Sequence, residues 1–377
     1  MLRSITGAFV AVAIAVFMLA GSQTASAADN VNISGRAFIF NHMSTGISNA
    51  TIKVREFPTL SAMTNELGDY TLEVPDDANV TPYIVSGQGL LTQRNMDGQP
   101  TGSMEAHWNE IDLQTFHTRG EDIENANFQA PRDEEYGLLK IILNVPARAD
   151  GRPEQCAIVT TSSARNVRDV DFRTYWLNTP HGVAGATSEE FPSIEGPVYF
   201  NDQVVPDVNR TSSSKDGGII WPIVPTGTYR IVTSSPTARF ASFLATCAPG
   251  RIINANPPMG AYELSPGESA RTFSNVAGSL DSVKVKRQGK RKRSVTLSIN
   301  AGEALGLDVK IRRAGKVIAS RKVKSVTSPR SMTFAINPKV KPGKLKVSAK
   351  LTDASGVSYT DVRNAKLPKI AGGNKKK

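Results

Sequence analysis

The sequence predicts an all-β chain of tandem β-sandwich domains behind a secretory signal peptide. Three observations predict it. Gly (30) and Pro (22) recur throughout the 377 residues, which suits many short strands joined by turns better than long helices. Short runs alternate apolar and polar side chains, the period of a half-buried strand. The amino terminus carries Arg3, an apolar run over residues 8–20 and the small residues Ala25, Ser26 and Ala27. That run is too short to span a bilayer comfortably, and the small residues suit a cleavage site. Residues 1–27 are therefore read as a leader and the chain from Ala28 as secreted or cell-surface associated; a retained anchor helix is the competing reading. No Cys follows the cleavage site and no further long apolar run appears.

The first unit, 28–132, opens with strand patterns over residues 36–40 and 50–55. Glu66, Leu67, Gly68 and Asp69 then supply a turn. Tyr70, Leu72 and Val74 line one face of the next strand, and Pro75 ends it. Residues 93–122 are polar and read as a long loop, Asn127, Phe128 and Gln129 as a closing strand, and Arg132 to Glu135 as a charged linker. The second unit, 137–264, starts with residues 139–145 read as a strand, and 157–161 as another. Residues 213–225 align with residues 63–75 at a constant offset of 150: Glu66 meets Asp216, Gly68 meets Gly218, Val74 meets Val224 and Pro75 meets Pro225. One device of strand, Gly turn, strand and Pro stop is used twice. The Ser/Gly/Asn-rich stretch 265–282 reads as a flexible linker. The third unit, 283–367, alternates over residues 294–299, 307–312, 331–336, 345–351 and 357–359. Strands at that spacing over about 90 residues argue for a sandwich. Residues 368–377 form a basic tail.

Two resemblances rest on these residues. Gly35, the 49–54 strand, Thr64 and Asn65 before the 66–70 turn, and the 72–75 strand resemble the carboxypeptidase regulatory-like domain, a transthyretin-like (prealbumin-like) sandwich. Residues 196–200 and 224–231 look like a second, more divergent copy. Residues 341–347 and 351–356 make the third unit similar to the Ig-like modules of exported bacterial proteins. The resemblance implies two transthyretin-like sandwiches and one Ig-like sandwich. It implies spacer, adhesin or binding-accessory roles by analogy, and no peptidase.

Charge is strongly divided. Residues 283–377 hold 26 Lys and Arg against 4 Asp and Glu, a net of +22; residues 1–282 hold 19 against 30, a net of −11. Such asymmetry marks a basic part that meets a polyanion. The densest run supplies Lys284, Lys286, Arg287, Lys290, Arg291, Lys292 and Arg293, without interleaved aromatics. That is a charge-matching surface rather than a base-stacking platform. The expected partners are anionic envelope polymers or polysaccharide, with no specific nucleic acid, and with self-association between acidic and basic parts as a further route. A solubilising patch that binds nothing is the plain alternative. The only two cysteines, Cys156 and Cys247, are expected to form a disulfide, with two buried free thiols as the competing reading.

Catalytic signals are sparse. His42, His107, His117 and His181 share no ligand spacing, so no metal site is expected, including the two-His, two-Tyr iron set of intradiol dioxygenases. No nucleophile elbow, P-loop or dinucleotide motif appears, and no cofactor is expected. The pairs Asp76–Asp77, Glu189–Glu190 and Asp169–Asp171 lack the spaced ligands of a calcium loop. Trp108, Trp176 and Trp221 fit core positions better than a sugar-binding face. The sequence therefore points to a non-catalytic surface or matrix protein held by its basic unit. A carbohydrate- or protein-binding adhesin acting through the middle domain is the alternative. A hydrolase without a recognisable motif, testable at His181, is the third reading.

Overall fold

Alternation buries Val31 and Ile33 on one side of the strand Asn30–Ile39, which then runs fully buried through Ala37, Phe38 and Ile39. Its first part pairs antiparallel with Asp69–Pro75, and its last three residues pair parallel with Phe128–Ala130. The second unit repeats this plan. The strand Cys156–Thr161 pairs antiparallel with Gly218–Val224 and parallel with Ile252–Ala255. The computed structural model describes residues 30–178, 180–255, 257–288 and 292–370. The expected leader, residues 1–27, lies outside these residues.

The repeated turn needs a left-handed glycine in both copies. Gly68 has φ +85°, and a Cβ there would sit 2.2 Å from the Ala37 carbonyl oxygen. In the second copy the left-handed residue is Gly217 (φ +81°), one position before the Gly218 that the offset aligns with Gly68. Only glycine adopts such a backbone without a steric penalty.

Three local expectations are corrected. Residues 139–145 do not form a strand: the helix Asp133–Ile142 covers 139–142 and absorbs the expected linker. Its first turn is Asp133, Glu134 and Glu135, and Glu135 accepts the Arg132 N–H at 2.8 Å. Acidic residues there complement the helix dipole. Tyr136, Leu139 and Leu143 recur at helical spacing and line an apolar recess floored by Val159, Phe200 and Ile220. Residues 93–122 are not a loop: the strands Gly87–Arg94 and Pro100–Trp108 form a hairpin. Little of that hairpin is buried, so its period-2 signal is faint. The stretch 265–282 does not behave as a solvated linker. Phe273, Val276, Ala277 and Leu280 are buried, and the strand Gly278–Gln288 has already begun.

The first two units share a sheet. Its nine strands run from Pro206–Asp207 to Ser61–Met63, and the two units join where Ile111–Asp112 lies parallel to Ile252–Ala255, with Asp112 opposite Ile253. A six-stranded sheet covers it in the first unit and a five-stranded sheet in the second. The third unit packs three strands, Gly278–Gln288, Lys292–Ala301 and Arg330–Ile336, on four. The four run in the order Lys316–Val326, Leu305–Arg313, Gly343–Thr352, Ser358–Leu367. Val295, Leu297 and Ile299 meet Val309, Ile311 and Val347 in its core. Each such side chain contributes about 1.5–3 kcal/mol on burial. The chain is an all-β protein of tandem sandwiches.

Candidate polyanion-binding surface

The described part of the basic run, residues 284–288 and 292–293, lies where the strands Gly278–Gln288 and Lys292–Ala301 pair antiparallel, Gln288 opposite Lys292. Lys284 lies opposite Thr296 and Lys286 opposite Ser294, on the outer side of the three-stranded sheet. Lys284, Lys286, Arg287 and Lys292 are exposed. Lys290 and Arg291 lie outside the described residues.

Arg293 is a correction. Only 2% of it is exposed. Its guanidinium donates to the carbonyls of Pro338 (3.3 Å), Val340 (2.7 Å) and Pro368 (2.9 Å). Alternation places it on the inner face with Val295, so it closes one end of the sandwich and is not offered to a ligand. A charge count along the sequence does not see this; strand parity does.

The carboxylates of the third unit explain where positive charge accumulates. Glu303, at the turn after Lys292–Ala301, is buried against Arg230 of the second unit. The two form a bidentate pair, with 1% of the Arg230 side chain and 3% of the Glu303 side chain exposed. Arg230 also donates to the Ser274 carbonyl at 2.7 Å, and Glu303 accepts the Ala277 N–H at 2.7 Å. Asp353 is buried beside them; desolvation pushes its carboxyl up, against the pull of Arg230. Asp361 accepts the Leu280 N–H at 3.0 Å and pairs with Arg363. Three of the four carboxylates therefore face the junction with the rest of the chain.

The fourth, Asp308, sits on the outer face of the four-stranded sheet, 3.3 Å from Lys310. Register puts Lys310, Arg312, Lys322, Lys344, Lys346, Lys350 and Lys366 on that same face. None of these belongs to the 284–293 run. The signal that finds them is the alternation of Lys and Arg with buried Val, Leu and Ile along each strand.

Other sequence candidates are dispersed. His117 is buried, with Nδ1 2.6 Å from Asn79 Oδ1 and Nε2 3.4 Å from Asp77. Burial lowers its pKa, partly offset by Asp77. His42 lies 3.8 Å from Glu135 and His107 3.9 Å from Asp133. His181 stacks on Tyr175 with ring centroids 4.7 Å apart, and burial lowers its pKa. Among the described residues no group of three or more His, Cys, Asp or Glu side chains could hold a metal ion. Trp221 and Trp108 are buried, and Trp221 Nε1 donates to Glu190 at 3.0 Å. Cys156 and Cys247 form a disulfide between the shared sheet and the five-stranded sheet. No described helix is long and apolar enough to cross a membrane.

No family model and no curated protein matches the chain. The carboxypeptidase regulatory-like resemblance therefore has no matching family behind it. Solved structures align loosely. A catalytically inactive OgpA from Akkermansia muciniphila, in complex with an O-glycopeptide, aligns at 10% identity and a TM-score of 0.20 over 30% of this chain and 34% of its own. BcpA, the major pilin subunit of Bacillus cereus, aligns at 10% identity and 0.19 over 57% of this chain and 69% of its own. A tetra-tandem repeat from the extending region of a large adhesion protein aligns at 13% and 0.20 over 90% of this chain and 74% of its own. Scores this low carry no functional argument.

Proposed function

We propose that this is an exported, non-catalytic modular protein of a cell surface or matrix. Its basic third sandwich holds it to anionic envelope polymers by Coulomb attraction, and the acidic first two sandwiches are what it displays. The observation that carries the reading is the separation of charge, −11 before residue 283 and +22 after it. Burial of Glu303 and Asp353 supports it, because the carboxylates that would dilute the positive surface are turned inward. Charge-matching of this kind weakens steeply with salt through counterion release. The test is retention of the chain from Ala28 on isolated anionic envelope polymer across a salt series. Retention that falls linearly on a log–log plot is expected. Retention unchanged between low and high salt, or no retention at all, overturns the reading.

A recess between the first and second units favours a second reading, a glycan-binding adhesin. Phe172 and Trp176 line it with Arg36, Arg94 and Asn95, in a volume of about 300 Å³. Aromatic faces beside planar polar groups suit a sugar ring. Trp176→Ala would then abolish a salt-insensitive retention and leave a salt-sensitive one intact.

A further inference from the structure

The third unit has two outer faces, and they are not equivalent. Among the described residues of the three-stranded sheet, Lys284, Lys286 and Lys292 stand at one end of the outer face, and Thr296, Ser298, Ser331, Thr333 and Ala335 continue it without charge. On the four-stranded sheet the cations spread across all four strands. Lys322 and Asp308 are paired across the first two strands, and Asp308 faces Lys350 on the third. Arg312 faces Lys346, whose other neighbour is Asn364. Lys344 faces Lys366 on the fourth. Lys322, Lys344, Lys346, Lys350 and Lys366 are exposed, and Lys310 and Arg312 half-buried.

Strand geometry sets the spacing. Neighbouring strands lie about 4.8 Å apart, and alternate residues on one strand are separated by roughly 6.5–7 Å. Like charges so close repel each other unless an anion lies over them. Asp308 supplies a single negative charge against seven positive ones, and its Oδ1 is buried without a hydrogen-bond partner. The face carries no aromatic side chain, so it offers no stacking platform for bases. Six of the seven cations are lysines. Lysine meets phosphate as a point charge and imposes no planar orientation on it, whereas the arginine fork grips carboxylate or phosphate bidentately, so a lysine array suits the freely turning phosphates of a flexible chain.

We infer that the outer face of the four-stranded sheet, rather than the 284–293 run, is where the polymer lies, and that the polymer is linear and phosphate-bearing. The inference rests on the tether reading above and names its surface and the chemistry of its partner. A flexible polyanion can drape over a flat array of point charges without a shaped pocket. The second occupant such a face could attract is the acidic part of another copy of this chain, and the experiment separates the two.

The test compares three forms of the chain from Ala28: unchanged, Lys344, Lys346, Lys350 and Lys366 all changed to Gln, and Lys284, Lys286 and Lys292 all changed to Gln. All these positions are exposed, so circular dichroism and melting are expected to match the unchanged chain. Long-chain inorganic polyphosphate is the probe, titrated across a salt series, with analytical ultracentrifugation alongside. Each phosphate contact contributes about 0.7 to the slope of log K against log salt for a single-stranded polyanion. The four-lysine variant is expected to lose about 3 from that slope and at least tenfold in affinity at low salt. The three-lysine variant is expected to keep both within about twofold and 0.7. The opposite ranking overturns the inference while leaving the tether reading in place. Retention on envelope polymer without polyphosphate binding overturns it too, as does salt-labile self-association that the four-lysine variant abolishes while polyphosphate binding is unaffected. Loss of all salt-sensitive retention in the unchanged chain removes the tether reading itself.

Discussion

Glu303→Gln is expected to uncouple the third sandwich from the second. In the folded chain Glu303 accepts from Arg230 Nε at 2.9 Å and from Nη2, and from the Ala277 N–H at 2.7 Å. Glutamine keeps the shape but has one acceptor oxygen. Its amide NH₂ must then face either the Ala277 N–H or a guanidinium N–H, donor against donor. Arg230 is left as a buried cation whose remaining close acceptors are the Ser274 carbonyl and Ser242 Oγ. Removing one partner of a buried ion pair costs about 3–5 kcal/mol. Asp353 stands close enough to offset part of this, so a loss near 3 kcal/mol is expected. The assay uses two probes of urea unfolding. All three tryptophans lie before residue 283, so their fluorescence follows the first two units, while far-ultraviolet circular dichroism follows all three. Coincident transitions are expected for the unchanged chain, and for Glu303→Gln a separate, earlier dichroism transition. An Arg230→Met, Glu303→Leu double-mutant cycle isolates the pairwise coupling. Coincident transitions in the variant, with stability within about 0.5 kcal/mol of the unchanged chain, refute the reasoning.

Three further outcomes are expected. Replacing both Cys156 and Cys247 by Ala opens a loop with a sequence separation of 91 and should cost about 4–5 kcal/mol in the chain-entropy model, read as a lower urea midpoint that matches the unchanged chain under reductant. Arg293→Met strands three carbonyls and should lower third-unit stability by about 1–3 kcal/mol, yet leave polyphosphate affinity within about twofold; a large affinity loss with unchanged stability would return Arg293 to the binding surface. His117 is held neutral by burial, its pKa below the ordinary value near 6.5. The unfolded chain therefore binds more protons than the folded one below that pH, so stability rises with pH. Cooling of the melting temperature between pH 7 and 5 should be shallower in His117→Gln; Asp353, which acts in the opposite sense, is common to both proteins.

Much of the third unit was legible residue by residue. Strict alternation in 294–299 and 345–351 survives folding because one sheet face is buried and the other solvated, so side-chain period and burial coincide. The repeated turn was legible for a similar reason: a left-handed backbone demands glycine at Gly68, and the device recurs 150 residues later, displaced by one at Gly217. The helix Asp133–Ile142 was misread because its apolar residues crowd into 138–143, where helical and strand periods look alike. The acidic first turn was the clue that separates them. The hairpin ending at Trp108 was missed because most of its residues touch no core.

The sequence by itself determined the class of the fold and the division of charge along the chain, because these depend on composition and on local period; it offered Cys156 and Cys247 as a pair, and the tertiary structure bridged them. Tertiary structure alone decided which charges are available. Arg293 and Arg230 are as basic in the sequence as Lys346, yet they are buried on carbonyls and on Glu303. Strand parity and docking of the third unit made that selection. Tertiary structure also decided that the first two units share one continuous nine-stranded sheet. The pairing of Asp112 with Ile253 spans residues 141 apart in the chain, and no local pattern encodes a contact at that distance.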